Sequence, residues 1–390
     1  VESYVHEMNA LERFRAVVRF KPAPRPLWEW HYLDTTVARW HDEGLPRDVY
    51  LPETGNNAPG DASPRIRLGA YFELDRGQPY CQGELAYVPV NTAMLPPFPV
   101  QILAEDERVQ VLVDEEGVRK EVLRHVLPTM PRFLEFPVRT REDFRQMRRR
   151  YDPNTPGRYP PEAEWQAFKA GAANRDYPLG LTFDGFFGRL RRWMGLENLL
   201  YALHDDPAWW EEMCEFHTEF ILHVIRRAVE EVAIDYVNIW EDMAYKNGPL
   251  MSPRHVRQYL LPGYRKIVDL LRRHGIEVIF VDSDGNLDLL IPIWLEAGIN
   301  GVWPLEVAAG ADPWALRQRY GHDLLLVGGI DKRELSQGHA QVRTEVMRRV
   351  PKLIKEGGYI PTVDHSVPPD VPLENYVYFR QLVAELSGRG

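Results

Sequence analysis

From Tyr177 onward the chain alternates short apolar, β-branched runs with longer stretches of helical period, the order expected when parallel strands are joined by helices. Six runs read as strands: PLGLTFD (178–184), DYVNIWED (235–242), IEVIFVDSD (276–284), INGVWPLE (299–306), DLLLVGGID (323–331) and GYIPTVDH (358–365). Helices are predicted through WMGLENLLYALH (193–204), from Pro207 to Val232, from Ser252-Pro253 to His274, from Asn286 to Ala297, from Asp312-Pro313 to Tyr320 and, after the strand DLLLVGGID, up to Lys355. Leu373 to Leu386 is the last of them. Serine before proline suits an N-cap and first turn, and Gly275 and Gly357-Gly358 stop two helices where a left-handed residue is needed. PRPLWEWHY (24–32) reads as a further strand.

Eight parallel strands close a barrel, so the pattern predicts α/β architecture: a single (β/α)8 TIM barrel over residues 1–390. Residues 46–150 break the alternation and are rich in proline, which marks an irregular insertion or lid over the barrel mouth. Within it VQVLVDEEGVRKEVL (109–123) predicts a β-hairpin turning at Glu116-Gly117. LPETGNNAPGDASPR (51–65) reads as a loop, and IRLGAYF (66–72) is the candidate for the remaining barrel strand. No internal repeat or low-complexity segment is present.

Composition narrows the function classes. Hydrophobic residues at 44% and charged residues at 27% are globular values. A net charge of −10, with no basic run longer than Arg148–Arg150, argues against a nucleic-acid partner. Two cysteines in 390 residues make neither a disulfide framework nor a cysteine-rich zinc site. With no signal-like apolar core in the first residues and no run of 18 apolar residues, a soluble cytoplasmic protein away from membranes is expected.

A parallel barrel carries its chemistry at the C-terminal ends of its strands, so the residues that finish each strand matter most. They are Asp184; Glu241 and Asp242; Asp282 and Asp284; Glu306; Asp331; and Asp364 with His365, while the first strand adds Glu29 and His31. Loop acids commonly cap the next helix, which accounts best for Asp184 and Asp331. Closely spaced carboxylates in DSD and DH instead call for a neighbouring positive charge. Asp282 and Asp284, two apart on a strand, face one side, and with His365 they make a D-x-D…H set for a divalent cation. Arg189, Arg191 or Arg192, and Lys246, are candidates to grip an anionic group, and Tyr245 to donate a proton. G-x-G-x-x-G, P-loop, H-E-x-x-H and G-x-S-x-G motifs are absent.

Several segments resemble the uroporphyrinogen decarboxylase superfamily of single-domain (β/α)8 barrels: IWEDMAYKNGPLMSP, LLPGYRKIVDLL, GGIDKRELSQG and VDHSVPPDVPLENY. Weaker similarity reaches back through RRWMGLENLLYALHDDP to ERFRAVVRFKPAPRPLWEW. The decarboxylase branch needs no metal, and the resemblance places its active-site histidine on His365 and its acidic segment on Glu241-Asp242. Its Arg-Gln-x-Gly-Arg segment, which holds substrate carboxylates, is replaced here by WEWHYLDTT. The methylcobalamin:coenzyme M methyltransferase branch binds zinc through H-x-C and a later cysteine. Asp282 and Asp284 stand at the H-x-C and His365 at the cysteine.

The resemblance therefore implies a metal-dependent, methyltransferase-like enzyme, with zinc, manganese or iron held by Asp282, Asp284 and His365. Glu241, Asp242 and Tyr245 are expected to act on substrate, with Glu306 as fourth ligand or base. Glu29, His31, Arg189, Lys246 and Asp331 are expected to bind substrate. Any corrinoid is carried by a partner protein, and the proline-rich insertion with the 11 tryptophans leaves room for a homodimer surface. The alternatives are a cofactor-independent decarboxylase of a carboxylic acid, with Asp282 or Asp364 assisting His365, and a non-catalytic corrinoid- or tetrapyrrole-binding protein.

Overall fold

The computed structural model describes residues 8–50, 66–78, 86–124 and 130–389. In chain order the strands are β1 (Val49–Tyr50), β2 (Ile66–Arg67), β3 (Gln101–Glu105), β4 (Val109–Val113), β5 (Arg119–Leu123) and β6 (Arg132–Glu135). They continue with β7 (Gly180–Asp184), β8 (Tyr236–Trp240), β9 (Ala244–Tyr245), β10 (Gly248–Pro249), β11 (Ile279–Asp282), β12 (Gly301–Leu305), β13 (Leu325–Gly328) and β14 (Tyr359–Ile360). All six strands expected after Tyr177 are present. They form one parallel sheet in the order β7-β8-β11-β12-β13-β14, each beside its successor and joined to it through helical segments.

At one margin Tyr87 bridges Gly180 in parallel, and at the other Tyr32 bridges Val367. The ladder among the described residues is thus six strands with single bridges at its margins, and the expected ring of eight regular strands is not seen. IRLGAYF supplies no barrel strand: Ile66–Arg67 pairs only with β1, and Leu68–Tyr71 is helical. The loop expected at 51–65 lies outside the described residues. Helix boundaries shift too. The helix expected from Asn286 begins at Ile291, and the one from Pro207 breaks after Val224 and resumes at Arg226.

Strand alternation sorts side chains to two sides of the sheet. Val237, Ile239, Ile279 and Val281 point outward into the large apolar layer beneath the helices. Phe14, Trp28, Trp30, Tyr236, Phe280 and Trp303 form a separate aromatic cluster on the inner face. Gly301 makes room there, since a Cβ at this position would lie 2.3 Å from the Phe280 ring. The helix Ala10–Val18 starts on an Asn9/Glu12 capping box and sends Phe14 and Val17 into this cluster. Phe14 stacks 5.5 Å from Trp28 and lies 5.6 Å from Tyr236, at the start of β8, so that end of the sheet is plugged. Chemistry is left to the other end, where Asp184, Trp240, Asp282 and Trp303 fall in one register layer.

The insertion holds the expected hairpin, β4 paired antiparallel with β5, inside a four-stranded antiparallel sheet ordered β3-β4-β5-β6. Its turn is fixed by Asp114, which accepts from the Glu116 and Val118 amides, and by Gly117 at φ 81°. Cys214 is buried and unpaired, while Cys81 lies outside the described residues. None of the described helices is long and apolar enough to cross a membrane.

Candidate active site at the sheet mouth

A cavity of about 260 Å³ opens at the C-terminal ends of the parallel strands, lined by Trp30, His31, Trp240, Asp242, Asp282, Asp284, His365 and Ser366. Asp282, the last residue of β11, follows Phe280 on the inner face and is buried. Ser283 turns the other way. Its amide donates to the Trp303 carbonyl at 3.0 Å and its hydroxyl accepts from the Met243 amide at 3.0 Å, which ties the β8 and β12 ends to this loop. Gly285 (φ 86°) then passes so close to Ala244 that a Cβ would meet the Ala244 carbonyl carbon at 2.7 Å. Its amide donates to Glu306 at 3.2 Å. Held on both sides, the loop delivers the Asp284 Oδ2 to 3.2 Å from His365 Nε2.

His365 reaches this position from the segment after β14. The preceding Asp364 is fully buried and accepts the Val307 amide at 2.9 Å and the Lys332 amide at 3.1 Å, while Lys332 Nζ lies 3.6 Å from both Asp364 and Glu306. Burial raises the Asp364 pKa against the pull of Lys332. For His365, burial acts to lower the pKa, but the hydrogen bond and charge of Asp284 outweigh it and the net shift is upward. His31 Nδ1 stands 3.2 Å from Ser366 Oγ, and Val367 donates to the His31 carbonyl at 2.8 Å, so the first strand segment is zipped to the last.

Asp242, held at φ 46°, lines the same cavity and pairs with Arg191 at 2.5 Å. Arg192 lies over the Trp240 ring, 4.4 Å from its centroid. Asp242, His31, Asp282, Asp284 and His365 are thus brought together as expected.

The other expected residues have different surroundings. Glu241 does not line the cavity: it is buried beside Asp242 and accepts the Phe186 and Gly188 amides at 2.8 and 3.0 Å and the Tyr264 hydroxyl. It thereby satisfies the N-terminal donors of the helix Phe186–Met194, and burial pushes its carboxyl up to about 7 despite these bonds. Glu29 is likewise buried, accepting from the Trp30 and Val363 amides and the Tyr376 hydroxyl, each at 3.0 Å, and burial raises its pKa. Arg189 is committed to Asp184 at 2.7 Å and the Tyr151 hydroxyl at 2.9 Å. Asp331 caps the next helix and chelates Arg333, whose bonds hold its carboxyl low although burial opposes them. Tyr245, the last residue of β9, and Lys246, in the turn that follows it, are exposed and outside the cavity lining. Glu306 supports the loop rather than lining the cavity.

Sequence reading missed Ser366, Trp240 and Lys332. Ser366 and Lys332 each directly follow a flagged strand-end residue, which was the available signal.

Among the described residues no group of three or more His, Cys, Asp or Glu is placed to hold a metal ion. Asp282, Asp284 and His365 share the cavity without forming a ready coordination sphere, and the expected D-x-D…H centre is reduced to one close pair.

The family model of uroporphyrinogen decarboxylase (URO-D) matches residues 127–386. A uroporphyrinogen decarboxylase of Trichlorobacter lovleyi is 26% identical over 202 residues, 50% of this chain and 54% of that protein. One from Thermus thermophilus is 27% identical over 200 residues, 51% and 54% respectively. The chain spans about half the length of these curated relatives. Among solved structures, a methyltransferase from Methanosarcina mazei superposes with a TM-score of 0.55 at 15% identity, covering 97% of this chain and 99% of that one, a likeness of fold.

Proposed function

We propose, from the premise that the chain belongs to the uroporphyrinogen decarboxylase family, that it is a cytoplasmic methyltransferase-like enzyme acting on a small molecule at the sheet mouth. The single bridges at Tyr32 and Tyr87 support a closed eight-stranded barrel as the scaffold. The observation that carries the reading is the His365–Asp284 pair at 3.2 Å, beside Asp282 and Asp242 in a cavity walled by Trp30 and Trp240. Asp284 fixes the His365 ring and favours its charged form. The imidazole takes the proton from a protic acceptor as the acceptor's heavy atom forms a bond to the methyl carbon, and the donor leaves with its electron pair. Trp30 and Trp240 exclude water from that exchange.

A divalent cation fits these side chains only in part. Two ligands ~2.1 Å from one tetrahedral ion lie roughly 3.4 Å apart, close to the spacing of Asp284 and His365, but the third donor is not in place. Zinc, or manganese or iron, would take Asp282, Asp284 and His365 as donors and supply Lewis-acid activation of the acceptor. Methylcobalamin, delivered by a corrinoid protein, is the proposed donor.

The test is methyl transfer from methylcobalamin to a thiol or phenol, followed by the cobalamin absorbance, with metal content measured on the same protein. The expected result is turnover by the wild type and its loss in His365→Ala.

A second reading, decarboxylation with protonated His365 as the acid, is favoured by the Asp284 carboxylate 3.2 Å from its Nε2, which shifts the pKa of the ring upward against burial. Carbon dioxide release that persists in excess chelator, without methyl transfer, would replace the first reading with the second.

A further inference from the structure

We propose that Lys332 is the positioning residue of the His365–Asp284 pair, one cation that anchors both of its halves; this rests on the reading that the pair performs the chemistry. Asp284 comes from the loop after β11 and His365 from the segment after β14, with the ends of β12 and β13 between them. The pair stands at 3.2 Å, near the upper limit of a useful hydrogen bond, so a small shift of either half disconnects it. A contact made across two intervening strands needs a common tether.

Lys332 lies between the two. Gly328, at φ 104°, carries the end of β13 so close to β12 that a Cβ there would meet the Leu305 amide nitrogen at 2.9 Å. Ile330 bridges Val363 in parallel, and the Asp364 amide donates to the Ile330 carbonyl at 2.8 Å. Lys332, two residues further on, therefore has Glu306 and Asp364 on either hand, each 3.6 Å from its Nζ. Glu306 turns Oε1 to Lys332 and accepts the Gly285 amide through Oε2, which holds the residue after Asp284. Asp364 accepts the Lys332 amide through Oδ1 and the Val307 amide through Oδ2, which holds the residue before His365. One ammonium thus reaches a backbone neighbour of each partner, and it does not itself line the cavity.

The charges make Lys332 more than a strut. Two carboxylates whose oxygens are each 3.6 Å from one nitrogen have those oxygens at most about 7 Å apart, and Asp364 is fully buried, away from screening water. Among the described residues no other Lys or Arg is within ion-pair distance of either acid, and the neighbouring Arg333 is held by Asp331 at 2.7 Å. Loss of the ammonium leaves two like charges facing each other, and the partly exposed Glu306 is the one free to swing out to water. The Gly285 amide then loses its acceptor, and Asp284 is released from His365. A compact ammonium suits this place because it meets acids on two sides, where a planar guanidinium favours one carboxylate in a fork.

The test reads the coupling between positions 284 and 365 without requiring turnover, as the change that Asp284→Asn makes in the His365 ring resonances of the full chain at one fixed pH. A clear change is expected in the wild type, and its absence there overturns the proposal. In Lys332→Met the coupling is expected to vanish. In Lys332→Met/Glu306→Gln it is expected to return, because the neutral amide still offers Gly285 an acceptor and ends the repulsion. A coupling that survives Lys332→Met overturns the proposal, and so does one that the double variant fails to restore, since a side chain that merely fills space is not replaced by a change of charge on its neighbour. If Lys332→Met does not fold, Glu306→Ala takes its place: it cuts the link to Gly285 and should abolish the coupling, and survival of the coupling overturns the proposal. In methyl transfer Lys332→Met should lower kcat about 10²-fold with KM unchanged, whereas a rise in KM alone would make Lys332 a substrate-binding group and overturn its positioning role. A wild type without methyl transfer but with the coupling, lost in Lys332→Met and regained in the double variant, removes the assigned reaction and supports the positioning role.

Discussion

The parallel and antiparallel sheets of this chain are held by opposite means. In β8, β11, β12 and β13 nearly every residue is buried, pressed between the inner aromatic cluster and an outer helical layer. In β3 to β6 nothing is buried, and order rests on the ladder, the Asp114 turn and the contacts of Glu116 with Arg192 at 3.0 Å and Arg189 at 3.6 Å. The first sheet can therefore hold charged groups rigidly at its mouth, because its packing resists their repulsion. The second is an exposed surface, and it is joined to the mouth through Glu116.

The largest expected effect separates chemistry from packing. His365→Ala should lower methyl transfer about 10²- to 10⁴-fold while thermal stability moves little, as measured by turnover and calorimetry on the same preparation. Phe280→Ala does the reverse. It empties the inner cluster and should cost ~3–5 kcal/mol in denaturant unfolding. Ile102→Ala, on the exposed sheet, should cost under ~0.5 kcal/mol in the same measurement. A large loss there would erase the contrast between the sheets.

Glu241 gives a pH-dependent test of intermediate size. Burial raises its carboxyl from the ordinary 4.5 to about 7, so the folded state holds the proton more tightly than the unfolded one. Its contribution to stability is fully present below pH 4.5 and is lost as pH rises towards and through 7, roughly 3 kcal/mol in all. Glu241→Gln should flatten that part of the stability profile. An unchanged slope would mean that the carboxyl is not buried as described.

What was legible in the sequence follows from which physical signal each feature leaves. Runs such as IEVIFVDSD announce a strand buried on both sides, and their order alone arranges β7 to β14. The strand-end rule also located Asp282, Asp284 and His365. It could not separate Asp242 from Glu241, because adjacent residues at a strand end turn to opposite sides, and only the donors of the helix Phe186–Met194 decide which one is captured. Glu29 was misread for the same reason, since its partners Val363 and Tyr376 are over three hundred residues away. β3 and β6 left little trace because neither has a buried face to impose alternation. The late start at Ile291 reflects the loop set by Gly285, a tertiary constraint with no local periodicity.

The pairing of His365 with Asp284 is the claim on which the proposed chemistry rests, and nuclear magnetic resonance titration of the His365 ring in wild type and Asp284→Asn tests it most directly. The account predicts a wild-type pKa above the ordinary 6.5, because Asp284 overcomes the effect of burial, and a fall in the variant as burial is left unopposed. A wild-type value at or below 6.5, or one that Asp284→Asn leaves in place, would contradict it.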